Sequence, residues 1–283
     1  MDQEEKLPKP TDEQNNNQLH YGRTGIDQLY ARVWGDSIQF GYYETPTTDL
    51  EAAVIETKRQ MLAIADINQD GHVLEVGSGW GATARYLARA AGLRITATNI
   101  ENDHLIVGRT LSELSGVHSL ITHEYADFHA LPFSDATFDV WWAQEATVHA
   151  TDKQRMFSEA FRTLKPGGRI VFSDQTTNAQ LCEDKDLERI KARHGSNDAY
   201  DMQGFINALS KAGFMDIKTF DWSGHMNRHF TNLVLRLENT YGQLIADIPS
   251  DIVDFNLSMW RFGRDLSARG GMGWACFSAT KPT

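Results

Sequence analysis

The chain has 283 residues, of which 41% are hydrophobic and 23% are charged, the composition of a globular protein with a sizeable core. Its 38 Asp and Glu residues outnumber its 27 Lys and Arg residues, which gives a net charge of −11. Such a surface repels nucleic-acid phosphates and anionic lipid, so we expect no nucleic-acid partner and no membrane partner.

The first 19 residues are polar and acidic, so a disordered tail is predicted over residues 1–19 and a folded domain over residues 20–283. No signal peptide and no apolar run of about 18 residues is evident. The two cysteines, Cys182 and Cys276, cannot build a disulfide framework and favour a reducing compartment. We therefore expect a cytoplasmic protein; whether it is a monomer or a dimer stays open.

From residue 49 onward, strand-like and helix-like patterns take turns along the chain. A helix is predicted over residues 49–67 with Asp49 as its N-cap. The alternation that follows predicts a Rossmann-like α/β fold with a doubly wound, mostly parallel sheet. The predicted elements are strand 73–76, helix 82–91, strand 94–98, helix 103–114, strands 119–125 and 138–143, helix 152–164 and strand 169–173.

After Asp174 the pattern changes to longer helical stretches. Helices are predicted over residues 185–194, 201–212, 229–246 and 251–266, with strands at 215–222 and 272–279. We expect residues 20–48 to form an N-terminal lid segment and residues 180–270 to supply a C-terminal helical cap. The helices after Trp222 would cover the carboxyl ends of the strands, where open α/β sheets bind ligands.

Three glycines, Gly77, Gly79 and Gly81, stand at the predicted turn from a strand into a helix. Glycines there let backbone amides approach a ligand closely. The stretch also satisfies the dinucleotide fingerprint G-x-G-x-x-G/A, which leaves an NAD(P)-dependent oxidoreductase as one interpretation. Two residues disfavour it. Glu75 can meet a ligand's ammonium through water, and the next strand closes on Asn99 rather than on the acidic residue that a dinucleotide ribose favours.

Five short motifs between Leu74 and Gly168 stand at the ends of predicted strands or in the loops beside them. They are Leu74-Glu-Val-Gly-Ser-Gly-Trp-Gly81, Asn99-Ile100, Ala126-Asp127-Phe128, Phe138-Asp139-Val140 and Leu164-Lys-Pro-Gly-Gly168. As a set they resemble the class I S-adenosylmethionine-dependent methyltransferases. The resemblance implies that residues 20–283 form one domain of that class, with S-adenosyl-L-methionine as cofactor and S-adenosyl-L-homocysteine as its product.

A closer similarity extends over most of the chain. The matching segments are Val33-Trp-Gly35, Ile38-Gln-Phe-Gly41, Trp142 to His149, Leu187 to Lys191, His229-Phe230 and Gly273-Trp274. They resemble the sarcosine/dimethylglycine N-methyltransferases that make glycine betaine. That group tends to have Gln-Asp where this chain has Gln144-Glu145, and Asp-Pro-Met where it has Asp174-Gln175-Thr176. Both places should face the methyl-transfer site.

The resemblance also implies where the cofactor binds. Its parts would contact the carboxyl ends of the first four strands. The implied cofactor-binding residues are Glu75, Gly77, Ser78 and Gly79 at the methionine portion, Asn99, Ile100 and His104 at the ribose, Asp127 and Phe128 at the adenine, and Gln144 under the sulfonium.

Methyl transfer to an amine needs alignment of the reactants, exclusion of water and removal of one ammonium proton. His149 comes shortly after the fourth strand, and a histidine of near-neutral pKa can take that proton. We therefore predict His149 and Gln144 as catalytic residues. A histidine that only hydrogen-bonds a neighbouring loop is the plainer interpretation of His149.

A methylated amine is a bulky cation that aromatic faces bind, and a carboxylate favours an arginine. Trp34, Tyr43, Arg228 and Trp274 are the predicted substrate-binding residues; Tyr30, Tyr42, Arg32 and Arg261 are further candidates. No metal site is expected, because the pair His225 and His229 has no acidic residue nearby to complete a ligand set.

The function predicted from these residues is N-methylation of a small amino-acid amine, with sarcosine or dimethylglycine as the expected partner molecule. Three alternatives remain. The acceptor can be oxygen, carbon or nitrogen of another small metabolite, the protein can be an NAD(P)-dependent oxidoreductase, or it can bind a cofactor without catalysis.

Overall fold

The computed structural model describes residues 25–195 and 199–283, so the tail predicted over residues 1–19 lies outside the described residues. The strands are β1 His72–Val76, β2 Arg94–Asn99, β3 Ile121–Tyr125, β4 Phe138–Gln144, β5 Leu164–Thr177, β6 Met215–Asp221 and β7 Met272–Thr280. The helices are α1 Gly25–Val33, α2 Leu50–Ala65, α3 Ala82–Ala91, α4 Asn102–Leu114, α5 Lys153–Thr163, α6 Asp184–His194, α7 Met202–Ala212, α8 Ser223–Leu244 and α9 Ser250–Ala268.

The seven strands form one sheet in the order β3-β2-β1-β4-β5-β7-β6. The first five are parallel, and β7 runs antiparallel between β5 and β6. The chain order reverses between β1 and β4, and ligands of doubly wound sheets bind beyond the strand ends at that point. The prediction of a mostly parallel, doubly wound sheet is confirmed.

Strand β4 shows why both faces of the sheet are covered. Trp142 packs into the hydrophobic cluster on one face, whereas Phe138 and Trp141 pack into the cluster on the other. Successive side chains of a strand point to opposite faces, so a continuous apolar run requires helices on both sides.

Helix starts follow the capping signals in the sequence. The Asp49 carboxylate accepts a hydrogen bond from the Ala52 amide at 2.7 Å, and Asp152 and Asp201 cap α5 and α7 in the same way. Each side chain satisfies an amide that has no partner inside the helix. The predicted N-cap at Asp49 is thus confirmed.

Two element boundaries differ from the sequence prediction by five residues or more. Helix α8 begins at Ser223 rather than His229, because the Asp221 carboxylate accepts from the Ser223 amide at 2.9 Å and the polar turn that follows is helical. Strand β5 begins at Leu164 rather than Arg169, because the Gly167 amide donates to the Lys281 carbonyl at 2.9 Å and extends the edge of the sheet.

Residues 34–48, called the arm below, cross the carboxyl ends of the strands without regular secondary structure. Their backbone groups pair with side chains of α2, α8 and the end of β4. The Gly41 amide donates to His229 Nδ1 at 3.1 Å, the Tyr43 amide to His225 Nδ1 at 3.1 Å, and Thr57 donates to the Phe40 carbonyl at 2.8 Å. A buried irregular segment needs such partners for its polar groups.

Among the described helices, none is long and apolar enough to cross a membrane.

Candidate active site

The glycine loop joins β1 to α3, at the turn from a strand into a helix that the sequence predicts. Gly77 and Gly79 have φ values of +63° and +53°, a region that side chains with a Cβ rarely adopt. A Cβ built at Gly77 would lie 2.5 Å from the Ala146 Cβ, so the loop packs against the segment that follows β4. A Cβ at Gly79 would meet nothing within 4 Å, so open space faces this backbone.

Three buried polar atoms around this loop lack a hydrogen-bond partner among the described residues. They are Glu75 Oε2, Ser78 Oγ and Gln144 Nε2. Buried polar atoms without partners are costly, and they mark places where a ligand supplies the missing partner. The Glu75 oxygen can accept from the ammonium of the cofactor's methionine portion. The Ser78 hydroxyl and the Gln144 amide can donate to its carboxylate. The residues present therefore fit S-adenosylmethionine.

The Glu75 carboxyl is 2% exposed, and burial raises its pKa to about 8, against the nearby charges of Lys58 and Arg85. Lys58 is also buried, which lowers its pKa to about 8, and its Nζ donates to Ser37 Oγ at 2.6 Å. Arg85 pairs with Asp36 at 2.8 Å. These contacts tie the arm to α2 and α3 beneath the cofactor loop.

The residues predicted for the ribose lie at the end of β2, in the turn that follows it and in the first turn of α4. Asn99 ends β2 and its Oδ1 accepts from the Glu101 amide at 3.1 Å, while Ile100 is 56% exposed beside it. His104 lies on α4 with its Nε2 3.4 Å from Asp27 Oδ1, so it also contacts α1. Their roles toward a ribose stay predictions.

The adenine-side residues form a tight loop after β3. Asp127 Oδ1 accepts from the His129 amide at 2.8 Å, and Phe128 packs edge-on against the His129 ring at 4.8 Å. This geometry is an Asx turn, the structural role that an aspartate there can have without a ligand. Contact of Asp127 and Phe128 with adenine stays a prediction.

A cavity of about 360 Å³ opens beside the ends of β4 and β5, within the usual size range of small-molecule sites. Its walls are mostly aromatic and apolar, and its ionisable side chains come from the segment that follows β4, from β5 and from α6. The lining residues include Tyr30, Trp34, Phe40, Glu145, His149, Asp174, Gln175, Arg193, His194, Phe230, Trp260 and Phe262.

Glu145 is the first residue after β4 and has a φ of +49°, a strained value for a residue with a Cβ. Its Oε1 accepts from Ser173 Oγ at 2.6 Å and from Trp274 Nε1 at 2.9 Å, and its Oε2 accepts from the Phe40 amide at 3.3 Å. Burial raises the pKa of Glu145 to about 8. The surroundings thus hold this carboxyl at the cavity wall.

Asp174 is fully buried in β5 beside Glu145. Burial raises its pKa to about 6, although the Thr147 hydroxyl donates to it and the Gln175 amide donates at 2.7 Å. Two carboxyl groups of raised pKa thus lie together at adjacent strands, a pattern typical of functional sites.

His149 lies in the short 3₁₀ turn Thr147–His149 and lines the cavity. Its Nδ1 is 3.0 Å from the His194 carbonyl. A carbonyl only accepts, so Nδ1 carries the hydrogen and Nε2 keeps its lone pair. Burial lowers the His149 pKa below its usual 6.5. The sequence left two interpretations of His149, a general base or a histidine that only hydrogen-bonds a neighbouring loop. In the structure its partner is the last residue of α6, and Nε2 stays free to accept a proton, so the role as a base stays a prediction.

The four predicted substrate-binding residues separate into different places. Trp34 lines the cavity, and Trp274 is fully buried behind it and holds Glu145. Tyr43 and Arg228 pack together outside the cavity, the guanidinium carbon 4.5 Å from the ring centre. Burial raises the Tyr43 pKa to about 12.

The three arginines proposed from sequence as carboxylate partners have structural contacts. Arg228 donates to the carbonyls of Thr45, Pro46 and Thr48. Arg32 pairs with Asp247 at 2.8 Å and Arg261 with Glu238 at 2.6 Å. The structure brings none of the three to the cavity lining.

Sequence reasoning missed Arg193, His194 and Trp260 as lining residues. The signal was present for α6, where Ile190, Arg193 and His194 share one face at i, i+3 and i+4. The pair His225 and His229, considered for metal, instead accepts hydrogen bonds from the arm. Among residues 25–195 and 199–283, no group of three or more His, Cys, Asp or Glu could hold a metal ion.

Comparison with known proteins identifies the class to which this site belongs. A family model described as a methyltransferase domain matches residues 74–172, which run from the glycine loop through most of β5. Together with the fold, the glycine loop and the unpartnered polar atoms around it, this match identifies a methyltransferase domain over residues 74–172, and the protein is an S-adenosylmethionine-dependent enzyme.

Within that class, the chain is similar to the sarcosine/dimethylglycine N-methyltransferases, as the sequence resemblance predicted. It is 27% identical to that enzyme of Halorhodospira halochloris over 263 residues, 91% of this chain and 93% of the relative. It is 30% identical over 237 residues, 82% of this chain, to a glycine/sarcosine/dimethylglycine N-methyltransferase of Actinopolyspora halophila, of which it spans 41%.

A solved structure of a candidate sarcosine dimethylglycine methyltransferase from Galdieria sulphuraria has the same fold. Its TM-score is 0.83 at 22% sequence identity, and the match covers 91% of this chain and 98% of that one.

Proposed function

We propose that this protein transfers a methyl group from S-adenosylmethionine to the nitrogen of sarcosine, dimethylglycine or both, toward glycine betaine. The observation that carries the proposal is the aromatic cavity with carboxyl groups at the ends of β4 and β5. A methylated ammonium suits such a cavity because aromatic faces bind cations and carboxyl oxygens accept hydrogen bonds from an ammonium N–H. Residues 20–283 would act as one catalytic domain.

When bound, the cofactor supplies an electrophilic methyl group on a sulfonium. Glu75, Ser78 and Gln144 would hold its methionine portion, since their buried polar atoms need partners. Thr83 fixes Gln144 by donating to its Oε1 at 2.6 Å, so the amide nitrogen is presented at the end of β4. Asn99 and Asp127 would contact the nucleoside.

The protein's own residues would align the amine and keep water out. Trp34, Phe40 and Trp260 enclose the cavity, and each is less than a tenth exposed. Alignment of two reactants can contribute about 7–11 kcal/mol toward a reaction barrier. The arm closes this wall because Glu145 accepts from the Phe40 amide.

An amino-acid amine enters as an ammonium and must lose one proton before its nitrogen can attack. His149 Nε2 would accept that proton from the amine, which then bonds to the methyl group. Burial keeps the His149 pKa low, so the imidazole is neutral and ready to accept near pH 7.

The test is an assay of purified protein with methyl-labelled cofactor and a panel of glycine, sarcosine, dimethylglycine and phenols. Label transfer to sarcosine or dimethylglycine, with none to the phenols, is the expected result. Transfer to phenols alone would contradict the proposal and leave the class intact.

A second candidate, methylation of a different small metabolite, rests on the cavity's size. About 360 Å³ with mainly apolar walls is more than dimethylglycine alone would fill. Gln175 and Thr176 also stand where the resembling enzymes tend to have Pro and Met. Label transfer to a bulkier amine at a higher kcat/KM than to dimethylglycine would favour this candidate.

A further inference from the structure

Arg193 is the only lysine or arginine among the described residues that line the cavity. One N–H of its guanidinium donates to the Tyr30 hydroxyl, which in turn donates to Asn256 Oδ1 at 3.2 Å. Within residues 25–195 and 199–283, no carboxylate forms an ion pair with Arg193. A guanidinium has five N–H donors, so most of its capacity remains for another acceptor.

Two elements orient this guanidinium toward the cavity. On α6, Ile190, Arg193 and His194 share the face that lines it, one helical turn apart. On α1, Tyr30 stacks on Trp260 with ring centres 6.2 Å apart. The Tyr30 hydroxyl, which accepts the hydrogen bond from Arg193, is therefore held in place by the packing of its ring in the aromatic wall.

The carboxyl groups of the cavity and its guanidinium lie on different elements. Glu145 and Asp174 stand at the strand ends, whereas Arg193 stands on the helical cap. The positive charge of Arg193 acts on groups inside the cavity. Burial lowers the pKa values of His149 and His194, and the charge of Arg193 lowers them further. A zwitterion, with an ammonium at one end and a carboxylate at the other, matches this separation.

We propose that Arg193, positioned by Tyr30, binds the carboxylate of the substrate while the amine lies against the carboxyl groups of β4 and β5. The inference rests on the proposed function and adds to it the group that selects amino acids over simple amines. A guanidinium suits this role because its planar fork matches a carboxylate in two parallel hydrogen bonds.

The test compares sarcosine with sarcosinamide, which lacks the carboxylate charge, in Arg193→Gln, Arg193→Lys and wild-type protein. Arg193→Gln should raise the KM for sarcosine by about 10- to 100-fold, the range for a lost hydrogen bond to a charged group. Its KM for sarcosinamide and its Kd for S-adenosylhomocysteine should stay within about twofold of the wild-type values. Arg193→Lys should fall between wild type and Arg193→Gln for sarcosine, because it keeps the charge and loses the fork.

Lys191→Gln is the matched control, since it removes one positive charge from an exposed position on the same helix. It should change none of these values. An equal rise in KM for sarcosine and sarcosinamide, or no rise for sarcosine, would overturn the assignment of Arg193.

Failure of the proposed function can be told apart from failure of this inference. If the wild-type protein methylates neither sarcosine nor dimethylglycine, the proposed function fails, and binding of dimethylglycine is then followed by tryptophan fluorescence, because Trp34 and Trp260 line the cavity. Quenching that Arg193→Gln abolishes would still support the carboxylate site. Equal quenching in both proteins, or none in wild type, would reject it.

Discussion

At the scale of single residues, the site depends on side chains whose positions are fixed by contacts remote in sequence. Glu145 is held by Ser173 and Trp274 from β5 and β7, and His149 by the carbonyl of His194 on α6. Each functional group therefore has its rotamer and, for His149, its tautomer set by a neighbour. Substitutions at these positions test the chemistry directly.

Replacing Gly79 with Ala should weaken cofactor binding, because a Cβ there enters the space that faces the loop. Gly92→Ala is the matched control, since Gly92 has a φ of +66° and its Cβ would also meet nothing within 4 Å. Both variants should lose about 1–2 kcal/mol of stability from left-handed strain.

Only Gly79→Ala should raise the Kd for S-adenosylhomocysteine, by about 10- to 100-fold. Calorimetric titration of both variants with S-adenosylhomocysteine measures this Kd. Equal affinities in the two would mean that the glycine loop does not contact the cofactor.

His149→Gln should lower kcat by about 10²- to 10⁴-fold, the usual contribution of a general base. The wild-type rate should fall on the acid side below pH 6.5, because the His149 pKa is lowered from that value and its protonated form cannot accept a proton. The variant should lose this acid limb. His118→Gln, at an exposed histidine before β3, is the control and should keep it.

At the scale of elements, the arm is held by one face of α8. His225, Arg228 and His229 recur at i, i+3 and i+4 and pair with its backbone. The arm in turn supplies Trp34 and Phe40 to the cavity. Arg228 was predicted to bind substrate because a carboxylate favours an arginine, whereas its guanidinium donates to three carbonyls of the arm and so holds the arm.

Arg228→Ala should loosen the arm and leave the sheet intact. We expect faster amide hydrogen exchange over residues 40–48 and a KM that rises by the same factor for sarcosine and sarcosinamide, because the aromatic wall is affected and no carboxylate contact is lost. Arg261→Ala, which removes an exposed ion pair with Glu238, is the control. A rise confined to sarcosine would restore Arg228 as the carboxylate partner.

At the scale of the whole molecule, buried titratable groups make stability depend on pH. Glu75 and Glu145 have pKa values of about 8 in the folded state, above the usual 4.5, so the folded state binds more protons below pH 8. His123, His194 and His229 have pKa values of about 4, 3 and 3 because burial lowers them, so the unfolded chain binds more protons below pH 6.5. The two effects oppose each other only below pH 6.5.

Between pH 6.5 and 8 the two glutamates outweigh Lys58, whose lowered pKa of about 8 acts in the opposite direction near pH 8. The free energy of unfolding should therefore fall as pH rises, by up to about 1.4 kcal/mol per pH unit for each glutamate. Urea unfolding without cofactor measures this slope. Glu145→Gln should roughly halve it, whereas Glu101→Gln at an exposed position should leave it unchanged. A stability that rises over this interval would show that these carboxyls are ionised in the fold.

The sequence by itself determined the parallel part of the sheet and the cofactor side of the site. Strand patterns, Asp49 and the glycine loop act locally, because periodicity, capping and turn conformation depend on residues close together in the chain. The residues from Glu75 to Gly79 therefore appear in the structure next to the space and the unpartnered atoms that a cofactor needs.

Only the tertiary structure decided the substrate side. The cavity joins α1, the arm, β4, β5, α6, α8 and α9, and no local signal states which side chain of each element meets the others. Nothing in the local sequence distinguishes Arg228 from Arg193. In the structure Arg228 donates to carbonyls of the arm, whereas Arg193 lines the cavity. The physical reason is that a hydrogen-bond donor's role depends on which acceptors the fold leaves near it, and those come from distant parts of the chain.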